Sequence, residues 1–224
     1  MIFAQGVGPL RGRFNRLLVK LILNPVDLIT LRDRESLDLL STLGVKRPPI
    51  EVTADPTLIF QPPLEAEGKR ILSLEGISLN KPILGVAVRS GELDQTALAK
   101  RLDEAVNKNG WQVVFFLFQP PDDLRVTSQV INKMSNPAGI VYRILHPQEM
   151  LAVIGQCRFL IGMRLHALIF AALAGVPAEG LAYDPKVEAF MRQNKPLAEL
   201  RAKAALNFQL FFDHFGFQPE GAAS

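Results

Sequence analysis

Cys157-Arg158-Phe159-Leu160-Ile161-Gly162-Met163-Arg164-Leu165-His166-Ala167-Leu168-Ile169-Phe170 is the stretch whose reading decides the fold. Phe159 to Ile161 is a short continuous apolar run, the pattern of a strand buried on both faces of a parallel sheet. Leu165 to Ala174 then reads as an apolar helix closed by Gly175 and Pro177. Gly162 stands between them, where a residue without a Cβ lets the chain turn sharply. The free N–H groups of a helix that starts there make an anion site, and Arg164 and His166 would strengthen it.

The same alternation extends outward from this stretch. Ile83 to Val88, Gln112 to Leu117, Gly139 to Tyr142 and Pro177 to Leu181 read as strands. Leu93 to Asn109, Leu124 to Met134, Pro147 to Gln156 and Lys186 to Gln193 read as the helices that follow strands. Short loops between such elements imply βα units, one parallel sheet and right-handed crossovers. A smaller α/β region precedes them, with β segments at Ile2 to Ala4, Leu28 to Leu31 and Ile50 to Thr53. The expected organisation is residues 1–62 as a partial α/β domain, 63–80 as a Pro- and Glu-rich linker, 81–195 as a Rossmann-like domain, and 196–224 as a C-terminal helix and tail. Leu200, Phe208, Phe211, Phe212 and Phe215 make that last helix apolar, so it needs a surface to pack on.

Composition narrows the class. The 224 residues are 48% apolar and 21% charged, which describes a folded globular protein. One cysteine, Cys157, excludes an internal disulfide framework and a cysteine-rich zinc site, and three histidines make a His-rich metal site improbable. A net charge of +3 gives no footprint for nucleic acid. No apolar run is long enough to span a bilayer and the N-terminus lacks the order of a signal peptide, so a cytoplasmic location is expected. Arg11 to Leu23 reads as a basic amphipathic helix, with Arg13, Arg16 and Lys20 on one face and Phe14, Leu17, Leu18, Leu21 and Ile22 on the other. Packing of the apolar face on a sheet is the plainer expectation; contact with anionic lipid at the inner face of the membrane is the alternative.

The candidate site is a set of basic residues at strand ends. Arg89 follows Val88, Arg164 and His166 follow Ile161, and Lys186 follows the strand that ends near Ala182. All four would then lie on the carboxyl edge of one sheet, the edge where open α/β folds bind ligands. Arginine suits a carboxylate or phosphate bidentately, and lysine acts as a point charge. Helix dipoles would add only ~0.3–1 kcal/mol each, so the side-chain cations dominate such a pocket. A lone histidine in the first turn of an apolar helix is commonly a packing residue; beside Arg164, His166 is also a candidate proton-transfer group. A second candidate is the charged run Arg32-Asp33-Arg34-Glu35 at the end of an earlier strand, near the glycine loop Gln5-Gly6-Val7-Gly8-Pro9. That loop fits neither the dinucleotide fingerprint nor the P-loop, and alternating charges often form a self-paired helix start.

Six segments in order resemble the polysaccharide pyruvyl transferase family, in particular its CsaB-like branch. They are Gln5-Gly6-Val7-Gly8-Pro9-Leu10, Ile29-Thr30-Leu31-Arg32-Asp33-Arg34-Glu35-Ser36, Val52-Thr53-Ala54-Asp55-Pro56, Gly85-Val86-Ala87-Val88-Arg89, Ile161-Gly162-Met163-Arg164-Leu165-His166-Ala167 and Tyr183-Asp184-Pro185-Lys186. The resemblance implies a glycosyltransferase-B-like architecture, of which this chain would hold the C-terminal Rossmann-like half and part of the N-terminal α/β domain. It also implies transfer of a pyruvyl group from phosphoenolpyruvate to two hydroxyls of a cell-surface saccharide precursor, free or lipid-linked, with no cofactor and no metal. On this resemblance Arg89, His166 and Lys186 contact phosphoenolpyruvate with Arg164 beside them, and the acceptor meets Gly6, Gly8, Arg32, Asp33 and Glu35 in the cleft. His166 would be the general acid, and Asp33 or Glu35 the base that takes the sugar proton.

Family members carry several βα units before the Gly6 loop, so strand edges and apolar faces in residues 1–62 would be uncovered and could pair with a second copy. Two other functions fit the same residues. A nucleotide-sugar glycosyltransferase shares the architecture, and a shortened relative could serve as a non-catalytic binding or assembly subunit.

Overall fold

The structure of the protein, a computed structural model, describes residues 1–61, 65–181, 187, 188, 190 and 196–216. The chain divides into two compact units: Met1–Ile59 with Lys195–Ser224, and Phe60–Asn194. Each contains a wholly parallel sheet.

In the first unit β1 (Ile2–Gln5), β2 (Ile29–Leu31) and β3 (Ile50–Val52) pair in that order, joined by α1 (Arg13–Leu23) and α2 (Arg34–Leu43). Ile29, Leu31, Leu40 and Val45 form the buried core beside them. The apolar C-terminal helix, α8 (Leu197–Phe215), packs on the 3₁₀ turn Pro56–Ile59. Asn207, fully buried in α8, accepts a hydrogen bond from the Thr53 hydroxyl at 2.7 Å and donates to the Ala54 carbonyl at 2.9 Å. Phe208 meets Phe3 edge-on at 5.1 Å. The tail helix read from the sequence thus finds its surface on the first unit, and a buried amide fixes its position.

The second unit has α3 (Glu65–Leu74), β4 (Ile83–Ala87), α4 (Gln95–Asn109), β5 (Gln112–Phe116), α5 (Asp122–Ile131), β6 (Ala138–Val141), α6 (Pro147–Ile154), β7 (Cys157–Gly162), α7 (Leu165–Leu173) and β8 (Ala178–Gly180). Its strand order is β6-β5-β4-β7-β8. The chain therefore builds outward from β4 to one side and then returns to start again at β7. Leu84, Val86 and Val88 alternate onto the face covered by Leu98 and Leu102 of α4 and Val126 and Val130 of α5. On the opposite face a Cβ on Gly85 would lie 2.8 Å from Cys157 Sγ, and one on Gly162 would meet Leu168 of α7 at 3.1 Å. A sheet covered on both faces explains the unbroken apolar runs of the sequence.

One expected element differs. The span read as a linker, residues 63–80, holds α3, which packs against α6. Ile71 and Leu72 are fully buried, and a Cβ on Gly68 would come within 2.2 Å of the Ala152 carbonyl oxygen. Glutamates and a lysine filled the exposed face of α3, and their density in the sequence hid its buried apolar side. Of the helix expected at Lys186 to Gln193, Val187, Glu188 and Phe190 are described and are helical; the rest of that span and the tail from Gln218 lie outside the described residues.

Candidate functional site

Position on the sheet is set by register. Ala87 of β4 pairs with Gly162 of β7, and Gly162 pairs with Gly180 of β8. Beyond those strand ends the Met163 N–H donates to the Ala87 carbonyl at 2.8 Å. Arg89 and Arg164 each follow two residues after a member of the Ala87–Gly162 pair, so both leave the sheet at the same carboxyl edge. Here the strand order switches direction between β4 and β7, the crevice where doubly wound folds take ligands.

Arg164 is the N-cap of α7 and provides no side-chain cap. His166 follows in the first turn, half-buried, with its ring 6.4 Å from that of Phe170. Phe170 in turn packs against Phe118, from the loop after β5, at 6.1 Å. Arg89 is half-buried at the end of β4. The N-terminus of α7, an arginine and an imidazole are thus gathered at one rim, where a small anion would find donors and positive potential. Lys186, expected to join them, lies outside the described residues.

Arg164 differs from the expectation of an open ligand contact. Its guanidinium pairs with Asp123 and donates to Gln119 Oε1 at 3.0 Å. Asp123 is fully buried, and its other oxygen accepts the backbone N–H groups of Phe118 at 3.0 Å and Gln119 at 2.9 Å. Since β4 lies between β5 and β7, this pair bridges over the end of β4 and ties the loop after β5 to the start of α7. Arg164 therefore holds the rim together. Asp123 and Gln119 escaped the sequence reading because one carboxylate and one amide at a helix start look like ordinary capping; only the sheet order reveals the arginine opposite.

The second candidate cluster sits at the carboxyl ends of β1 and β2. The Arg32 N–H donates to the Gln5 carbonyl at 3.2 Å, and Arg32 Nη1 pairs with Asp55 at 2.9 Å. A Cβ on Gly6 would lie 2.8 Å from Arg32 Nε and 3.2 Å from Asp33 Oδ2, so this glycine is what lets the arginine approach the loop. Gly8 has φ +107°, a conformation that other residues rarely adopt, and its missing Cβ makes room for Leu39. Asp33 caps α2, accepting from the Ser36 N–H at 2.8 Å and the Ser36 hydroxyl at 2.5 Å. Ser36, itself buried, accepts the Val7 N–H at 2.7 Å, which pins the glycine loop to the helix. Glu35 is exposed in the first turn of α2. Of the two carboxylates expected as a base, Asp33 has one oxygen committed to the cap.

Among the described residues no helix is long and apolar enough to cross a membrane. A comparison with curated proteins found no match. Solved structures of similar fold include the UDP-GlcNAc 2-epimerase from Neisseria meningitidis bound to UDP-GlcNAc, at TM-score 0.56 and 13% identity, over 91% of this chain and 57% of that one. The wall teichoic acid polymerase TagF matches at TM-score 0.51 and 12% identity, over 96% of this chain and 59% of that one. Anabaena HepE in complex with UDP-glucose matches at TM-score 0.50 and 14% identity, over 90% and 59%. The chain thus spans less than two thirds of the length of each, and these likenesses establish the glycosyltransferase-B-like α/β fold class. The sequence model described as Polysaccharide pyruvyl transferase matches residues 1–185, which include the strand-end arginines, the Gly-Met-Arg-Leu-His turn and the glycine loop, and the chain therefore belongs to the polysaccharide pyruvyl transferase family.

Proposed function

We propose that the carboxyl edge of β4 and β7 binds phosphoenolpyruvate and that the enzyme transfers its pyruvyl group to two hydroxyls of a saccharide, forming a cyclic ketal. The observation that carries this reading is the convergence of Arg89, Arg164 and His166 at the switch point of the second sheet. Phosphoenolpyruvate presents a carboxylate and a phosphate. Arg89 and the α7 N–H groups supply donors for one of them, Lys186 supplies a cation for the other, and Arg164 positions the turn through Asp123. In the proposed chemistry His166 protonates the methylene carbon, leaving an oxocarbenium-like centre that the first hydroxyl attacks. Phosphate departs, held by the cations, and the second hydroxyl closes the ring. Of the two hydroxyl protons released, one restores His166 and the other leaves with phosphate. General acid catalysis of this kind contributes ~10²–10⁴ in rate. Glu35 or Asp33 would first take the second of these protons from the sugar hydroxyl and pass it on, so that it leaves with phosphate, and the loop of Gly6 and Gly8 with Arg32 would meet the acceptor.

Titration calorimetry of the chain with phosphoenolpyruvate, and separately with a UDP-sugar, tests this reading. Binding of phosphoenolpyruvate is expected, weakened by Arg89→Ala and by Lys186→Ala and retained in His166→Ala. Equal affinity in wild type and both cation variants, or binding of the UDP-sugar alone, would overturn it. The latter result would favour a nucleotide-sugar transferase.

A further inference from the structure

The aromatic rings beside His166 have a part that the cations of the rim do not explain. Phe170 comes one turn after His166 on α7, so the two side chains share a helix face. Their ring centroids are 6.4 Å apart. The Phe170 ring is also 6.1 Å from that of Phe118 and 6.5 Å from that of Phe60. Phe170 is only 3% exposed, whereas Phe118 and Phe60 are half-buried. Phe170 is thus the floor of an apolar cluster, and the two rings seated on it keep part of their surface open.

Phe118 is held from two directions. Its backbone N–H donates to Asp123 Oδ2 at 3.0 Å, and the other oxygen of that carboxylate pairs with Arg164. Its ring rests on Phe170 of α7. Phe118 follows β5, α7 follows β7, and β4 lies between those two strands. The Phe118–Phe170 contact therefore passes over the carboxyl end of β4, where Arg89 leaves the sheet. One rim consequently joins a cationic part, Arg89 and the start of α7, to an apolar part, Phe118 and Phe170, and the imidazole of His166 lies against the latter.

Phosphoenolpyruvate is divided in the same way. Its central carbon bears a carboxylate and a phosphate ester, which need donors, and a methylene group, which needs none. Against phenyl rings the methylene loses water at no polar cost, while the anionic groups keep their donors. The same orientation brings the carbon that receives the proton to the histidine whose ring abuts Phe170.

We propose that Phe118, seated on Phe170, forms an apolar subsite for the methylene group of phosphoenolpyruvate and so selects this donor over phosphorylated acids that lack it. The proposal rests on the pyruvyl-transfer reading and adds a specificity-determining residue to it.

Phosphoglycolate is the probe, because it keeps the carboxylate and the phosphate ester and lacks only the methylene carbon. One carbon in an apolar pocket is worth about 10–200-fold in discrimination. Titration calorimetry of the full chain should therefore show phosphoenolpyruvate bound at least about tenfold more tightly than phosphoglycolate. Phe118→Ser should bring the two affinities within about threefold by weakening phosphoenolpyruvate, with phosphoglycolate changed less than about twofold. Phe118→Leu, which stays apolar, should keep most of the preference. Phosphoglycolate reports the cationic part of the rim, so its retained binding in Phe118→Ser shows that the site is still folded. Equal affinity of the wild type for the two ligands would overturn the proposal whatever the variants do, and so would an undiminished preference in Phe118→Ser; either result leaves the donor site standing. Binding of neither ligand by the wild type would remove the donor site and its apolar wall together.

Discussion

Substituting Asp123 is the most informative single perturbation of the second unit. Its carboxylate is fully buried, pairs with Arg164 and accepts two backbone N–H groups, at 3.0 and 2.9 Å. Asp123→Ala leaves an arginine whose side chain is only 17% exposed without its counter-ion. Breaking a buried pair from one side costs about 3–5 kcal/mol, because the remaining charge stays desolvated. The two orphaned N–H groups add a cost that water entering the cavity partly offsets. The expected loss is therefore at least about 3 kcal/mol, a fall in Tm on the order of 10 °C. Asp123→Asn keeps one acceptor oxygen for the loop and should lose less. Trp111, the single tryptophan, precedes β5 and packs on the core that includes α5, so its fluorescence in urea reports unfolding of this unit. A cycle with Arg164→Ala separates the pair from its surroundings. Coupling of about 1.5 kcal/mol or more is expected. Loss below about 0.5 kcal/mol in Asp123→Ala, or additive effects of the two substitutions, would refute the bridging role of this pair.

Three further outcomes follow from other sites. Burial pushes the Cys157 thiol well above its usual range, against a weaker opposing hydrogen bond from Gly85, so it should resist thiol reagents at pH 8 in the native protein and react fully after unfolding; fast native labelling would contradict the packing of β7. The Arg101 guanidinium hydrogen-bonds Glu179 at 2.5–2.6 Å and holds its carboxyl below the ordinary 4.5. That pair's stabilisation is present above the ordinary value and lost as pH falls through the lower folded one, so Glu179→Gln should flatten the decline of Tm on acidification, an effect that high salt diminishes. Asn207→Ala removes the partners of the Thr53 hydroxyl and Ala54 carbonyl in a buried site and should cost about 1–3 kcal/mol in urea unfolding; a neutral result would show that α8 is held by its phenylalanines alone.

What the sequence by itself determined was the order of elements and the edge on which chemistry sits. Apolar runs at Ile83–Val88 and Phe159–Ile161 identify strands buried on both faces, and a parallel strand must send the next residue out at its carboxyl end. Arg89, Arg164 and His166 could therefore be placed on one rim before any coordinates. Only the tertiary structure showed that Arg164 is engaged by a carboxylate. Whether an arginine meets a ligand or a carboxylate depends on what lies across the strand order, and the sequence separation of 41 between Asp123 and Arg164 conceals that meeting. The same limit explains α3 and α1. Periodicity shows that a helix has two faces, but the direction each face takes is fixed by neighbours distant in sequence, which bury Ile71 and Leu72 and leave Phe14 and Leu21 exposed.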